Sequence, residues 1–116
     1  MENQADCSYI YMLRCEDGSL YTGIAKDVKR RMEEHYFHKK QGAKYTKSRQ
    51  PKELVMVWET SSWSAAATLE HYIKTLTKAN KLKLIADPAS VNLVSEEKLK
   101  GNQYVPLKEF KHLFPG

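Results

Sequence analysis

Two aromatic-rich runs flank an Asp-Gly step, and they constrain this chain more than any other feature. Tyr9-Ile10-Tyr11-Met12-Leu13-Arg14-Cys15 is built from aromatic and aliphatic strand formers. Glu16-Asp17-Gly18-Ser19 carries the turn signal, and Leu20-Tyr21-Thr22-Gly23-Ile24 resumes the extended pattern. The stretch reads as a β-hairpin, and its loop length decides what that hairpin can do. A two-residue Asp17-Gly18 turn pairs Tyr11 with Ile24 and Tyr21 with Arg14, leaving the two tyrosines on opposite sides of the sheet. A three-residue loop, or one bulge between Asp17 and Leu20, shifts the pairing by one and brings both to the same side. A site shared by the two phenols needs the second arrangement, so an odd loop or a bulge is expected.

The remaining elements follow from caps and periodicity. Asp27 is placed to accept from the open N–H groups of a helix starting at Val28. Val28, Met32 and Tyr36 recur at helical spacing and supply its core stripe, while Arg31, His35 and His38 share a neighbouring face. Gly42 ends that region, and a basic loop follows through Pro51. Leu54-Val55-Met56-Val57-Trp58 is an unbroken apolar run, the third strand. Ser62 or Ser64 caps a second helix whose buried side is Leu69, Tyr72, Ile73 and Leu76. That helix runs to about Asn80, or on through Leu84, before the Asp87-Pro88 step closes it. Weak segments remain around Glu96–Lys100 and Leu107–Leu113. The order is strand, strand, helix, strand, helix, tail, an α/β arrangement of one three-stranded antiparallel sheet flanked by helices.

Composition bounds the function classes. With 116 residues, 41% hydrophobic and 28% charged, the chain has the balance of one globular domain. No run approaches the roughly 18 apolar residues of a membrane span, which excludes an integral membrane protein. The N-terminal residues lack the basic end and apolar stretch of a secretory signal. Cys7 and Cys15 lie on one extended segment, about 26 Å apart, too far for a mutual disulfide. A reducing, cytoplasmic setting is therefore expected.

The charge is unevenly spread. Of the net +5, the segment from Lys26 to Lys52 carries +7, ten Lys and Arg against Asp27, Glu33 and Glu34. Lys74, Lys78, Lys81 and Lys83 form a second basic stretch with no acid inside it. Concentrated positive charge attracts a polyanion through steering and counterion release. The plainer alternative is a solvated basic surface. Lys26, Arg30, Lys44, Lys47, Arg49 and Lys74 are the candidate phosphate contacts, and Tyr45 among them suits a base or ribose face.

Tyr9-Ile10-Tyr11, nine residues, then Tyr21-Thr22-Gly23 resembles the paired signature of the GIY-YIG nuclease superfamily. Arg31 falls ten residues after Tyr21, where that family places its arginine, and Glu70 matches the family's metal-binding glutamate. Gly42-Ala43-Lys44-Tyr45-Thr46 and the Glu70, Lys74, Lys81 spacing resemble the small stand-alone bacterial members. Tyr9 stands where the first signature has glycine, and Ile24 where excision-repair relatives have lysine; Asn80 and Asn92 are stand-ins for a late asparagine of the family. The resemblance covers residues 7–86, read as a GIY-YIG domain, with 87–116 as an extension packed on or beside it.

The resemblance implies a metal-dependent endonuclease that cleaves DNA, structure-selective or single-stranded, in repair or recombination. It implies Tyr11 as the general base, Tyr21 as the positioning phenol and Glu70 as ligand to one Mg²⁺ or Mn²⁺. The chemistry suits these residue types. A hard ion that keeps most of its waters needs only one carboxylate. Arg31 offers a planar fork of donors to phosphate oxygens. A phenol with pKa near 10 is a poor base at neutral pH, so neighbouring cations are expected to raise the acidity of Tyr11 or Tyr21. His35, one turn beyond Arg31, titrates in the useful range and is a second base candidate. Nothing resembles a separate DNA-reading module, so DNA shape or a protein partner would select the target. A monomer is expected, RNA stays open as substrate, and the rival readings are a non-catalytic nucleic-acid-binding module and a protein-interaction domain using the tail.

Overall fold

A computed structural model describes residues 7–37 and 50–115. The hairpin forms as strands β1 (Ser8–Cys15) and β2 (Leu20–Ala25). Its loop is three residues long. The Cys15 N–H donates to the Ser19 carbonyl at 2.9 Å, and the Gly18 N–H donates to the Cys15 carbonyl at 2.9 Å. Gly18 closes the turn at φ 86°, a left-handed position that glycine occupies at no steric cost. Asp17 stiffens it by accepting from both the backbone N–H and the hydroxyl of Ser19. Tyr11 consequently pairs with Gly23, and Leu13 with Tyr21. The odd loop is the arrangement the shared-site argument requires.

Helix α1 (Val28–Phe37) begins at Asp27, whose Oδ1 accepts the Arg30 N–H at 3.1 Å. Strand β3 (Pro51–Thr60) pairs antiparallel with β1 and is longer than the apolar run alone suggests. The second helix is α2 (Trp63–Lys74), capped by Ser62 accepting from the Ala65 N–H. It does not continue to Asn80 or Leu84. The Thr75 hydroxyl turns back onto the Tyr72 carbonyl at 2.6 Å, and Thr77 caps a separate helix, α3 (Lys78–Ala86). Leu76 still packs against the core from within the break.

Among the described residues the sheet has four strands, in the order β2-β1-β3-β4, rather than the three expected. The addition is β4, the two residues Val105–Pro106, which pair with Trp58 and Glu59. So short a strand has no periodicity to read, and its proline is tolerated because the strand lies at an edge. A 3₁₀ segment (Pro88–Leu93) and a four-residue helix, α4 (Glu96–Leu99), precede it.

Both faces of the sheet are covered. On one, Ile10, Met12, Met56 and Trp58 pack with Ala65, Ala66, Leu69 and Ile73 of α2. The tail adds Val91, Leu99 and Tyr104 to this side. The Tyr104 hydroxyl donates to the Ala65 carbonyl at 2.7 Å, and the Trp58 indole donates to the Pro88 carbonyl at 3.0 Å. On the other face, Tyr11, Leu13, Leu54 and Val57 pack with Val28 and Met32 of α1. The tail reaches this side too, through Leu107, Phe110, Leu113 and Phe114. Phe114 meets Tyr36 of α1 edge-on, with ring centroids 5.6 Å apart. The chain beyond Asp87 thus braces both layers, and one end of that brace holds the helix carrying Arg31 and His35.

Candidate active site

Alternation along β1 sends Tyr9, Tyr11 and Leu13 to the α1 face, and the three-residue loop puts Tyr21 there as well. Tyr11 and Tyr21 are diagonal neighbours with ring centroids 6.3 Å apart. The residue opposite Tyr11 is Gly23, and the phenol ring lies across it. A Cβ at residue 23 would run into the Tyr11 hydroxyl and come within 2.6 Å of its Cζ. Glycine is needed here for close approach, so this position of the second motif has a steric cause.

One turn of α1 separates Arg31 from His35, and both reach the Tyr11 hydroxyl. Nε2 of His35 lies 2.9 Å from it, and Nε of Arg31 lies 3.4 Å from it. Arginine has only donors, so the phenolic oxygen accepts from Arg31. With a neutral imidazole, the phenol's own hydrogen then points to Nε2 of His35. The result is a directed chain, guanidinium to phenol to imidazole. Tyr21 closes the cluster, its ring 5.4 Å from that of His35 and nearly perpendicular to it. Arg31 is anchored on its other side by Glu34, 3.0 Å from Nη1.

The electrostatics reverse one expectation. Burial pushes the Tyr11 phenol up to about 12, and the Tyr21 and Glu70 charges push the same way. The hydrogen bond from Arg31 and its charge act in the opposite direction and do not win. Tyr11 is therefore a neutral phenol at ordinary pH, not the acidified one that nearby cations suggested. Arg31 is held more firmly protonated, first by its bond to Tyr11, with Glu34 adding to this and burial opposing it.

Glu70 is on α2, whose core residues lie on the opposite sheet face. Its negative charge is nevertheless among the causes that raise the Tyr11 pKa, the smallest of them. The side chain is 23% exposed and pairs with Lys74 at 3.1 Å. Among the described residues, no group of three or more His, Cys, Asp or Glu could cage a metal. One partly exposed carboxylate instead fits a hydrated Mg²⁺ or Mn²⁺, a hard ion that takes oxygen ligands and keeps most of its water.

Lys26 and Arg30 line a groove of about 460 Å³ with Arg31, so these two predicted contacts adjoin the cluster. Lys74 instead sits on Glu70. Lys44, Tyr45, Lys47 and Arg49, and with them His38, fall outside the described residues. Neither asparagine stand-in joins the site. Asn92 bonds the Tyr104 backbone in both directions, at 2.8 and 3.0 Å, and Asn80 faces a separate cavity beside Tyr72 and Lys83. Trp63, which forms one wall of the groove, was not singled out from sequence. Its signal was an aromatic directly after a helix-capping serine, where core periodicity has no use for it. Cys7 and Cys15 remain thiols, and no described helix is long and apolar enough to cross a membrane.

Comparison with known proteins identifies the family. A family model for the GIY-YIG catalytic domain matches residues 7–83. The UPF0213 protein FN1575 of Fusobacterium nucleatum is 50% identical over 82 residues, covering 71% of this chain and 80% of that protein. The UPF0213 protein SSP2268 of Staphylococcus saprophyticus is 48% identical, covering 71% of this chain and 98% of its own length. The solution NMR structure of the UPF0213 protein BH0048 from Bacillus halodurans is 40% identical, covers 69% of this chain and 83% of its own, and superposes with a TM-score of 0.46. The family model and both relatives show that the chain belongs to the GIY-YIG nuclease superfamily, alongside the UPF0213 proteins.

Proposed function

We propose that this protein is a divalent-metal-dependent endonuclease that hydrolyses DNA phosphodiesters at branched, flapped or single-stranded sites in repair or recombination. On this reading residues 7–86 are the nuclease domain, residues 87–116 its packed extension, and the monomer works in the cytoplasm, with DNA shape or a protein partner choosing the target. The observation that carries the reading is the Arg31–Tyr11–His35 hydrogen-bond chain.

The chain resolves the difficulty of a weakly acidic tyrosine. Tyr11 need not ionise to act. As water attacks phosphorus, its proton passes to the Tyr11 oxygen while the phenol's hydrogen passes to Nε2 of His35. The phenol stays neutral throughout and the imidazole ends up carrying the proton and its charge. Arg31, anchored at Glu34 but half exposed, turns its remaining donors to the non-bridging phosphate oxygens, where negative charge accumulates. Tyr21 holds the attacking water in line. The bond from phosphorus to the leaving sugar oxygen breaks, that oxygen takes its proton from water, and the proton then released by His35 neutralises the hydroxide left behind. A Mg²⁺ or Mn²⁺ held by Glu70 would supply charge neutralisation at the phosphate and at the leaving oxygen.

The Glu70–Lys74 pair favours the rival reading, a binding module whose carboxylate is already neutralised. Incubating flap, fork, single-stranded and duplex DNA, with an RNA arm, in Mg²⁺, Mn²⁺ or chelator separates the two. The proposal expects metal-dependent cleavage that Glu70→Gln abolishes while binding persists. A wild-type protein that binds these substrates and leaves all of them intact in both metals favours the module.

A further inference from the structure

We infer that Trp63 is a stacking platform for an unpaired base, so that the protein selects DNA by taking hold of a nucleotide outside a duplex. This inference rests on the nuclease reading and supplies the substrate preference of the same site. Trp63 is the first residue of α2, fixed there by the Ser62 cap, and it is 45% exposed. A single exposed aromatic is unremarkable on its own. Its surroundings give this one a use. The indole is one wall of the groove that Lys26, Arg30 and Arg31 also line. The two acids in that groove are already engaged. Asp27 caps α1 through the Arg30 N–H, and Glu34 lies 3.6 Å from Arg30 and 3.0 Å from Arg31. Three cations against two acids leave the groove net positive, and the Trp63 indole lines it together with them.

That pairing matches one ligand chemistry, a single strand of nucleic acid. Cations track its backbone, and an aromatic ring receives a base whatever its sequence. A base inside a duplex has both faces covered by its neighbours and cannot use such a wall. The placement agrees with the chemistry. Trp63 and Glu70 are seven residues apart on α2, so they share one stripe of the helix about 10.5 Å apart along its axis. Arg31 belongs to both the groove and the catalytic cluster. A strand whose phosphate meets Arg31 therefore brings a nearby base to the indole, and the enzyme would cut beside an unpaired nucleotide.

The chain's two tryptophans make the test direct. Trp58 is fully buried, so a bound base can reach only Trp63. Binding is followed with chelator present, by indole emission and by anisotropy of a labelled oligothymidylate and a blunt duplex of equal length. The single strand should quench wild-type emission, and Trp63→Phe should keep the binding while losing the quench. Trp63→Ala should weaken single-strand binding about fivefold or more and leave duplex binding within about twofold. Its Trp58 emission reports that the fold is intact. Single-strand binding without quenching, or equal loss on both substrates, overturns the inference and leaves the nuclease reading standing. A wild-type protein that binds neither DNA removes both.

Discussion

The phenol ring of Tyr11 lies across Gly23 on the neighbouring strand, close enough that no side chain fits between them. This packing aims the hydroxyl at His35 and Arg31. Gly23→Ala should therefore displace the ring, at an overpacking cost of about 1–3 kcal/mol. Cleavage should fall further than stability accounts for, by about a hundredfold, because a small misplacement of a reacting group is expensive. Thermal melts and single-turnover rates on the same preparation check this. A variant that folds and cuts like wild type would show that the alignment is unimportant.

The route of the proton sets the pH profile. If Tyr11 relays to His35, the cleavage rate follows the loss of one imidazole proton and levels once the ring is neutral. His35→Gln should remove that limb. If Tyr11 had to ionise first, a phenol with pKa about 12 would make the rate climb about tenfold per pH unit far into the alkaline range. Initial rates between pH 5.5 and 10 distinguish the two.

The same phenol couples stability to pH. Its folded pKa of about 12 lies above the ordinary value near 10, so the native state holds this proton more tightly than the unfolded chain does. The contribution is fully present below pH 10 and is lost as pH rises from 10 through 12. By pH 11.5 wild type should have lost about 2 kcal/mol more than Tyr11→Phe, measured by urea unfolding against a pH 9 reference. Tyr9 and Tyr104 are also raised, first by burial, so only the difference between the two proteins isolates Tyr11. Parallel losses in both would mean the Tyr11 proton is not specially held.

Thr22 is buried against α2, and its hydroxyl finds no hydrogen-bond partner. Thr22→Val keeps the shape and removes the unsatisfied group. It should stabilise the protein by about 1 kcal/mol and raise Tm by a few degrees. A lower Tm would reveal a hidden partner for the hydroxyl.

What the sequence disclosed and what it withheld have physical explanations. The hairpin was readable because a shared face for Tyr11 and Tyr21 demanded an odd loop, and Glu16-Asp17-Gly18 supplies one. Arg31 and His35 were readable as one helix face because their spacing fixes it. The break between α2 and α3 was hidden because Leu69, Ile73 and Leu76 keep helical spacing across it, while the hydroxyls of Thr75 and Thr77 decide locally. Tyr104 entered the core from a segment with no periodicity at all. The direction of the Tyr11 shift differs from the expectation because charge can be counted in a sequence whereas burial cannot. Trp63 is illegible in the sequence for the same reason, since only the folded groove sets its ring among cations.

The most direct test of the Tyr11 centre is single-turnover cleavage of a flap DNA in Mn²⁺, with binding measured in parallel, for wild type and Tyr11→Phe. Losing one hydroxyl should slow cutting by at least about a hundredfold and change Kd by less than about threefold. A Tyr11→Phe protein that cuts at the wild-type rate would contradict the account.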